Sequence, residues 1–427
     1  MQFRAVKGTN DILPDDVWRW QRVEREFRTA LELCGFSEVR TPILEHKNLF
    51  VRSTGETSEI VEKQMFELER SGEVLVLRPE GTPGSARAYL THSVHAQQPV
   101  TRWYYIGPMF RAEQPQRGRY RQFYQAGCEL YGDASPACDA ELLDILHRFL
   151  SALGIADVTL AVNSIGGPAS RAAYRERLSQ HLRPKASTLS EHAQKRLEDN
   201  PLRILDSKDP RDRAAVEDAP SVLDALDAED AEHFAAVRRG LDRLGTPYQL
   251  TPGLVRGLDY YTRTVFEFQS TMGELGSQNT LIAGGRYDGM LKSLGGPEIP
   301  AVGCGVGLER VLLAMGATPA PKPRLCFIAP LGERATLESL VLARELREAG
   351  LLSVLDGRGN SMKSMLRRAD GLGATACLVL GDSELDQGVV QLKNLGAHSQ
   401  EQVARADVVE RVRAVFSTVD TGGGSPH

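Results

Sequence analysis

The six cysteines of this 427-residue chain are scattered (Cys34, Cys128, Cys138, Cys304, Cys326 and Cys377), with no CxxC pair and no HExxH helix. Neither a structural zinc site nor a disulfide framework is expected. His92 and His95 lie about one helical turn apart but have no third ligand nearby, so they read as a partly exposed helix face. No apolar run approaches membrane-spanning length, and the opening MQFRAVKGTNDILPDD lacks the apolar core of a signal peptide. A cytosolic enzyme is therefore the expectation. Bulk positive charge is also missing: the net charge is -5 and the pI near 6.1. That argues against binding nucleic acid by overall charge, and leaves any RNA partner to local basic patches. The remaining composition, 41% hydrophobic and 25% charged, is that of a globular chain long enough for two or three domains.

The most informative stretch is residues 101–132, TRWYYIGPMFRAEQPQRGRYRQFYQAGCELYG. Apolar and polar residues alternate at both ends around a loop of Gln, Pro, Gly and Arg, which predicts a long β-hairpin. Arg111, Arg117, Arg119, Arg121 and Glu113 sit about its tip. So many guanidinium groups in one place repel each other unless an anion compensates them. Arg121, Gln125 and Glu129 are separated by even steps along the returning strand, so they share one face and line a pocket.

Elsewhere, apolar residues at helical spacing predict a helix over 16–33, then a strand over 37–41 running into Pro42. The segment 51–62 reads as polar and glycine-punctuated, and 64–68 with 74–77 as a strand pair. In Arg78-Pro79-Glu80-Gly81-Thr82, proline and glycine bracket a glutamate and fix a turn that presents side chains at a strand end. A helix over 136–153 and a strand over 157–162 lead into 168 to about 240, which lacks strand signals and reads as a helical insertion. LVRGLDYYTRTVFEF (254–268) places a cation, an acid and two aromatics before a clean strand. In AGGRYD (283–288), paired glycines let the backbone pass close to a ligand or make a tight turn. AVGCGVGLER (301–310) is a strand with glycine at alternate positions that turns into a helix. Its spacing is not the dinucleotide fingerprint. Its bare face would accept a flat ring, and Arg310 would offer a charge to a phosphate. PAPKPR (319–324) is a proline-rich linker, after which strands over 325–329, 353–355, 376–380 and 388–392 alternate with helices over 334–349, 362–372 and 400–416. Ser361-Met362-Lys363-Ser364 is similar to the class I synthetase loop KMSKS, but it has no HIGH-type partner and opens an amphipathic helix. The tail, 421–427, reads as disordered.

Several of these segments resemble one family. Phe110-Arg111-Ala112-Glu113 with Arg121-Gln122-Phe123 is similar to motif 2 of the class II aminoacyl-tRNA synthetases; the helix, strand and Pro42 resemble motif 1, and the glycine-rich strand with Gly307-Leu308-Glu309-Arg310 resembles motif 3. RPEGT, LVRGLDYYTRTVFEF, AGGRYD and the run Gln125 to Glu129 resemble the histidyl-tRNA synthetases in particular. The resemblance spans about 7–416. It implies an α/β chain in which an α+β catalytic domain, with a mainly antiparallel sheet flanked by helices, occupies residues 1–167 and 244–318. A helical insertion domain fills 168–243 near the tRNA acceptor arm. A linker, 319–324, leads to an anticodon-binding domain with a mixed sheet at 325–418, and 419–427 is a flexible tail.

The same resemblance implies ATP-dependent activation of L-histidine followed by transfer to histidine tRNA, by a cytoplasmic homodimer with no membrane attachment, using Mg²⁺ with ATP and no zinc. It implies Arg111 and Arg256 as the catalytic residues on the α-phosphate. For histidine binding it implies Glu80, Thr82 and Gln125 at the amino group, and Glu129, Tyr260, Tyr261, Gly285 and Tyr287 about the side chain, with Arg111 and Arg256 at the carboxylate. For ATP it adds Glu113 at the adenine amino group, Phe123 on the ring, and Arg119 and Arg310 toward the β- and γ-phosphates. One departure concerns the acceptor end: many bacterial members read RxERPQxGR, whereas Gln114 replaces an arginine here, and Gln116 and Arg117 are expected to compensate. The rival is the synthetase-like regulatory subunit of ATP phosphoribosyltransferase. It lacks the anticodon-binding module and has eroded motifs, whereas Arg111, Arg256, Arg310 and the module after Pro323 are all present here. Threonine, proline or glycine synthetases would not be expected to carry LVRGLDYY or GGRYDG.

Overall fold

The computed structural model describes residues 3–418 except 56–57, 206, 208, 256–259, 273–274, 276–278, 318–319 and 321–323. The chain divides into two compact units, Met1–Thr318 and Pro319–His427. The strands of the first are β1 (Ser37–Glu38), β2 (Leu44–His46), β3 (Phe66–Arg70), β4 (Glu73–Leu77), β5 (Thr101–Phe110), β6 (Gln122–Tyr131), β7 (Val158–Ser164), β8 (Gln249–Leu250), β9 (Thr262–Ser270), β10 (Thr280–Arg286) and β11 (Ala301–Gly307). Those of the second are β12 (Cys326–Pro330), β13 (Ser353–Leu355), β14 (Ala376–Leu380), β15 (Val389–Asn394) and β16 (Ser399–Ala404).

An eight-stranded sheet, in the order β1-β5-β6-β11-β10-β9-β7-β8, organises the first unit. Its interior pairs are antiparallel, and only the edge pairs β1·β5 and β7·β8 are parallel. The predicted hairpin is there, β5 against β6, with Thr101 opposite Tyr131 and Phe110 opposite Gln122. Because side chains alternate across a strand, each strand divides its residues between two faces. Tyr104, Ala126, Cys128, Leu130, Val302, Cys304 and Val306 face backwards into the main core. The helices Pro14–Glu32, Pro136–Ala152 and Ala228–Leu244 cover that core with Phe27, Leu31, Leu143, Phe149, Phe234, Val237 and Leu241. The first of these helices starts on Pro14 with Asp15 and Asp16 in its first turn, where the helix dipole favours acids. The opposite face of the sheet carries Tyr105, Gly127, Glu129, Gly303 and Gly305. A small antiparallel sheet, β2-β4-β3, belongs to the same unit.

Between β7 and β8 the chain is helical, and Tyr174, Leu178, Leu182, Leu189, Ile204 and Val222 form a separate core there. Val51–Thr54, read from sequence as part of a polar loop, forms the last turn of the helix Lys47–Thr54, because Leu49 and Phe50 bury its other face.

The second unit has the sheet order β13-β12-β14-β15-β16, parallel in its first three strands and antiparallel in the rest, hence mixed. The helix expected over 400–416 begins later, at Val408–Thr418. Residues Ser399–Ala404 instead pair along the whole of β15. Gln and Glu favour helix in isolation, but the pairing offered by β15 outweighs that local preference. Among the described residues no helix is long and apolar enough to cross a membrane.

Candidate active site

Glu129 is the centre of the site. Its side chain is fully buried, projecting from β6 across the bare backbone of Gly303, its neighbour on β11. Tyr105 Oη donates to Glu129 Oε1 at 3.2 Å and Tyr287 Oη donates to Oε2. Burial raises the carboxyl pKa to about 8, although the hydroxyls of Tyr287, Thr82 and Tyr105 all favour its charged form. Tyr287 is itself buried, and its ring meets Tyr260 edge-on at 5.7 Å; Tyr260 in turn lies 4.5 Å from the Tyr261 ring.

Glycine makes this arrangement possible. A Cβ at Gly303 would stand 1.9 Å from Glu129 Oε2 and 2.5 Å from the Cys128 carbonyl oxygen; one at Gly305 would meet Gln125 Nε2 at 2.6 Å. The glycine face expected to receive a ring thus first receives the side chains of β6. At Gly307 the same Cβ would meet only Arg310 at ordinary contact distance, 3.7 Å. Gly303→Ala is expected to displace Glu129 and to cost about 1–3 kcal/mol of stability in denaturant unfolding. Unchanged stability would show that the two strands accept the methyl group without moving the carboxyl.

The RPEGT turn lies alongside. Gly81 N donates to Gln125 Oε1 at 3.0 Å, and a Cβ at Gly81 would strike the Tyr105 ring. Glu80 and Thr82, the latter opening the helix Thr82–Thr91, are both buried. Arg78 anchors the turn from below, donating to Pro108 O at 3.0 Å and to Thr41 O at 2.9 Å. Gln125 and Glu129 therefore do share a face. Arg121 departs from it, with Nε toward Glu113 O at 3.4 Å and its stem beside Gly8.

Further along β6 lies a cluster of arginines. Arg111 Nε donates to Pro79 O at 3.0 Å, and its guanidinium lies 5.2 Å from the Phe123 ring centroid. Arg119 pairs with Glu113 at 3.3 Å. Arg310, at the start of the helix Leu308–Ala314, donates to Gly118 O at 3.1 Å and Thr280 O at 3.0 Å. Its pKa falls to about 10, through burial first and then repulsion from Arg119 and Arg111. These cations are close enough to feel each other, which is the condition an incoming polyphosphate relieves. Phe123, Gln125 and Glu129 lie on one strand face, and six residues of strand span about 20 Å, so the cluster and the buried carboxyl lie toward two ends of one face of the sheet.

Gln114, Gln116 and Arg117 are exposed on the hairpin tip, where Gln116 and Arg119 close a tight turn through Gly118 at φ 74°. Gly285 presses on the Tyr261 ring, where a Cβ would stand 2.9 Å away. Arg256 lies outside the described residues. Among those described, no group of three or more His, Cys, Asp or Glu residues is placed to hold a metal. The place of Tyr105 is not legible in the sequence, because the pair Tyr104-Tyr105 in an alternating strand does not disclose which ring faces the pocket.

A family model described as histidyl-tRNA synthetase matches residues 8–311, and one described as anticodon binding domain matches 325–415. A histidine–tRNA ligase of Sorangium cellulosum (strain So ce56) is 55% identical over 404 residues, covering 94% of this chain and 94% of that protein. The crystal structure of apo S. aureus histidyl-tRNA synthetase superposes with a TM-score of 0.82 at 33% identity, covering 96% of this chain and 100% of that one. A Bacillus halodurans chain titled ATP phosphoribosyltransferase regulatory subunit/histidyl-tRNA synthetase shares the fold, with a TM-score of 0.65 at 24% identity over 86% of this chain and 97% of that one.

Proposed function

The chain belongs to the histidyl-tRNA synthetase family, and on that premise we propose which of its residues select and activate the amino acid. It is an ATP-dependent ligase that joins L-histidine to tRNA in two steps. The observation that carries our assignment is the fully buried Glu129 carboxyl between two tyrosine hydroxyls. Such a group accepts an N–H from an imidazole ring, and a ring without that N–H leaves it unsatisfied at a cost of about 1–3 kcal/mol. Tyr260, Tyr261, Gly285 and Tyr287 enclose the ring. Glu80, Gln125 and Thr82 hold the amino group, and Arg111 with Arg256 the carboxylate.

ATP enters as its magnesium complex, with Phe123 against the adenine, Glu113 at its amino group, and Arg119 and Arg310 on the outer phosphates. In the first step a carboxylate oxygen of histidine attacks the α-phosphorus, the bond to the bridging oxygen breaks, and pyrophosphate leaves. Arginines suit this step, because they stay charged and neutralise the charge that builds on the phosphates without reorganising. In the second step the 3′-hydroxyl of the terminal adenosine of tRNA attacks the activated carbonyl and AMP leaves.

The domain reading is a catalytic domain at 1–167 and 244–318, a helical insertion at 168–243, a linker at 319–324 and an anticodon-binding domain at 325–418; within the insertion the separate core ends at Ala225, and the helix Ala228–Leu244 packs on the catalytic core. The compact unit ending at Thr318 supports it. Gln114, Gln116 and Arg117 meet the acceptor end of histidine tRNA; their exposure at the hairpin tip supports this. Gln116→Ala with Arg117→Ala is expected to raise the KM for tRNA severalfold and weaken the preference for the extra 5′ guanosine, while exchange without tRNA is unaffected. Charging indistinguishable from the parent would remove these two residues from acceptor recognition. The protein works in the cytoplasm as a homodimer. Phe3, Val6, Leu13 and Leu33 are respectively 85%, 67%, 62% and 82% exposed, apolar side chains before and at the two ends of the helix Pro14–Glu32 that a second copy would cover. A monomer mass at micromolar concentration in sedimentation equilibrium would exclude the dimer.

The deciding experiment is amino-acid-dependent ATP–pyrophosphate exchange with each of the twenty amino acids, beside Arg256→Ala. Exchange with histidine alone, collapsing in the variant, is the expected result. Histidine binding without any exchange would favour the regulatory-subunit reading instead.

A further inference from the structure

β9 begins with a distortion. Arg286 of β10 pairs with Thr262 and Gly285 pairs with Val265, so Arg263 and Thr264 form a bulge between them. Arg263 is in the left-handed region at φ 49°, a conformation that costs any residue with a Cβ. What holds it there comes from both ends of the helical segment between β7 and β8. At the entry, Arg263 N donates to Gly166 O at 2.9 Å and Ile165 N donates to Arg263 O at 2.8 Å. At the exit, Asp230 Oδ1 accepts from Arg263 Nε at 2.9 Å, and Glu229 accepts from its Nη2. The other oxygen of Asp230 reaches back to the entry, accepting from Gly167 N and Ser170 Oγ, both at 2.6 Å. Arg171, on the first helix of the segment, donates to Tyr261 O at 2.9 Å. Asp230 is almost wholly buried.

The residues so gripped are the near neighbours of Tyr260 and Tyr261, whose rings lean on Tyr287 and through it on Glu129. We propose that Arg263 is a positioning residue: clamped by Asp230, it ties both roots of the helical insertion to the Tyr260–Tyr261 wall and so sets the affinity for histidine from outside the pocket. This rests on the assignment of that wall to the histidine side chain. The ordinary alternative is an ion pair that serves only stability. The two differ in what they predict for a variant that cuts the clamp without straining the fold.

Arg263→Gly is that variant. Glycine adopts φ 49° freely, and Asp230 keeps its bonds to Gly167 and Ser170. In exchange without tRNA, the KM for histidine is expected to rise about tenfold with the KM for ATP unchanged and Arg263→Lys recovering part of the loss, while the melting temperature falls because Asp230 stays buried without its cation. Histidine KM equal to that of the parent overturns the proposal. So does an equal rise in both KM values, which is the mark of general damage. Should Arg263→Gly be insoluble, Asp230→Asn is read by the same criteria. A parent without histidine-dependent exchange would sink the functional reading itself, whereas an active parent with an unaffected variant sinks only this inference.

Discussion

Glu129→Gln is expected to lower kcat/KM for histidine by roughly a hundred- to a thousandfold in pyrophosphate exchange, while the KM for ATP stays within about twofold. The replacement is isosteric, so packing against Gly303, Tyr105 and Tyr287 survives and the loss reports chemistry. An amide offers one acceptor oxygen where the carboxylate has two, and it turns an N–H toward groups that are themselves donors. The pH dependence gives a second reading of the same residue. With its pKa raised to about 8, Glu129 keeps its proton at neutral pH. Free imidazole loses its own proton near pH 6.5. The productive complex holds one proton between ring and carboxyl, whichever carries it. Thus kcat/KM should rise to about pH 6.5, level off, and fall tenfold per unit above about 8, and Glu129→Gln should lack that alkaline limb. Linkage also sets a sign for stability. The folded state retains a proton that an unfolded glutamate loses above its ordinary value of 4.5, so this group makes the protein less stable as pH rises from there to about 8. A Gln variant that keeps both its catalytic efficiency and the alkaline limb would remove Glu129 from imidazole recognition.

Arg310→Gln is expected to cut the maximal rate of exchange by about a thousandfold and to raise the KM for ATP, with the KM for histidine little changed. Without nucleotide, the variant should melt no lower than the parent. The folded state depresses the Arg310 pKa to about 10 from an ordinary 12.5, so the charge costs stability at neutral pH, and removing it relieves repulsion from Arg119 and Arg111. The relation should reverse once ATP is added. A ligand at a hundred times its Kd stabilises by about 2.7 kcal/mol, and the variant should forfeit most of that. Calorimetry with and without magnesium ATP separates the outcomes: a variant as strongly stabilised by ATP as the parent would show that Arg310 does not meet the phosphates.

Much of this site is legible in a linear reading because strands have a period of two. Gln125 and Glu129 stand four residues apart in an alternating run, and that alone places them on one face; the glycines at 303, 305 and 307 show in the same way that one face of β11 is bare. What alternation cannot disclose is which face turns inward. Tyr104 and Tyr105 are therefore indistinguishable until the helices Pro14–Glu32 and Pro136–Ala152 are seen to take the first of them into the core. Long-range partners are equally hidden. Arg286 of the AGGRYD run turns away from the pocket and is buried against Asp139, which also meets His233 and Thr264; no local pattern joins residues so far apart. Burial would raise the Asp139 pKa, yet the bond to His233 and the Arg286 charge hold it below the usual carboxylate range. Neither the bulge at Arg263 nor its left-handed backbone has a marker such as glycine. In the second unit, Ser399–Ala404 misleads for the opposite reason: its composition favours a helix and only the neighbouring strand makes it extended.

Cys128 and Cys304 stand opposite each other on β6 and β11, sulfur to sulfur at 3.4 Å, one residue away from Glu129 and Gly303. The catalytic face and the core are thus the odd and even members of the same two strands. Deleting a single residue within either strand would exchange them, bringing a thiol into the pocket and burying a carboxyl under the helices. These two segments can change composition, but their length can change only in steps of two.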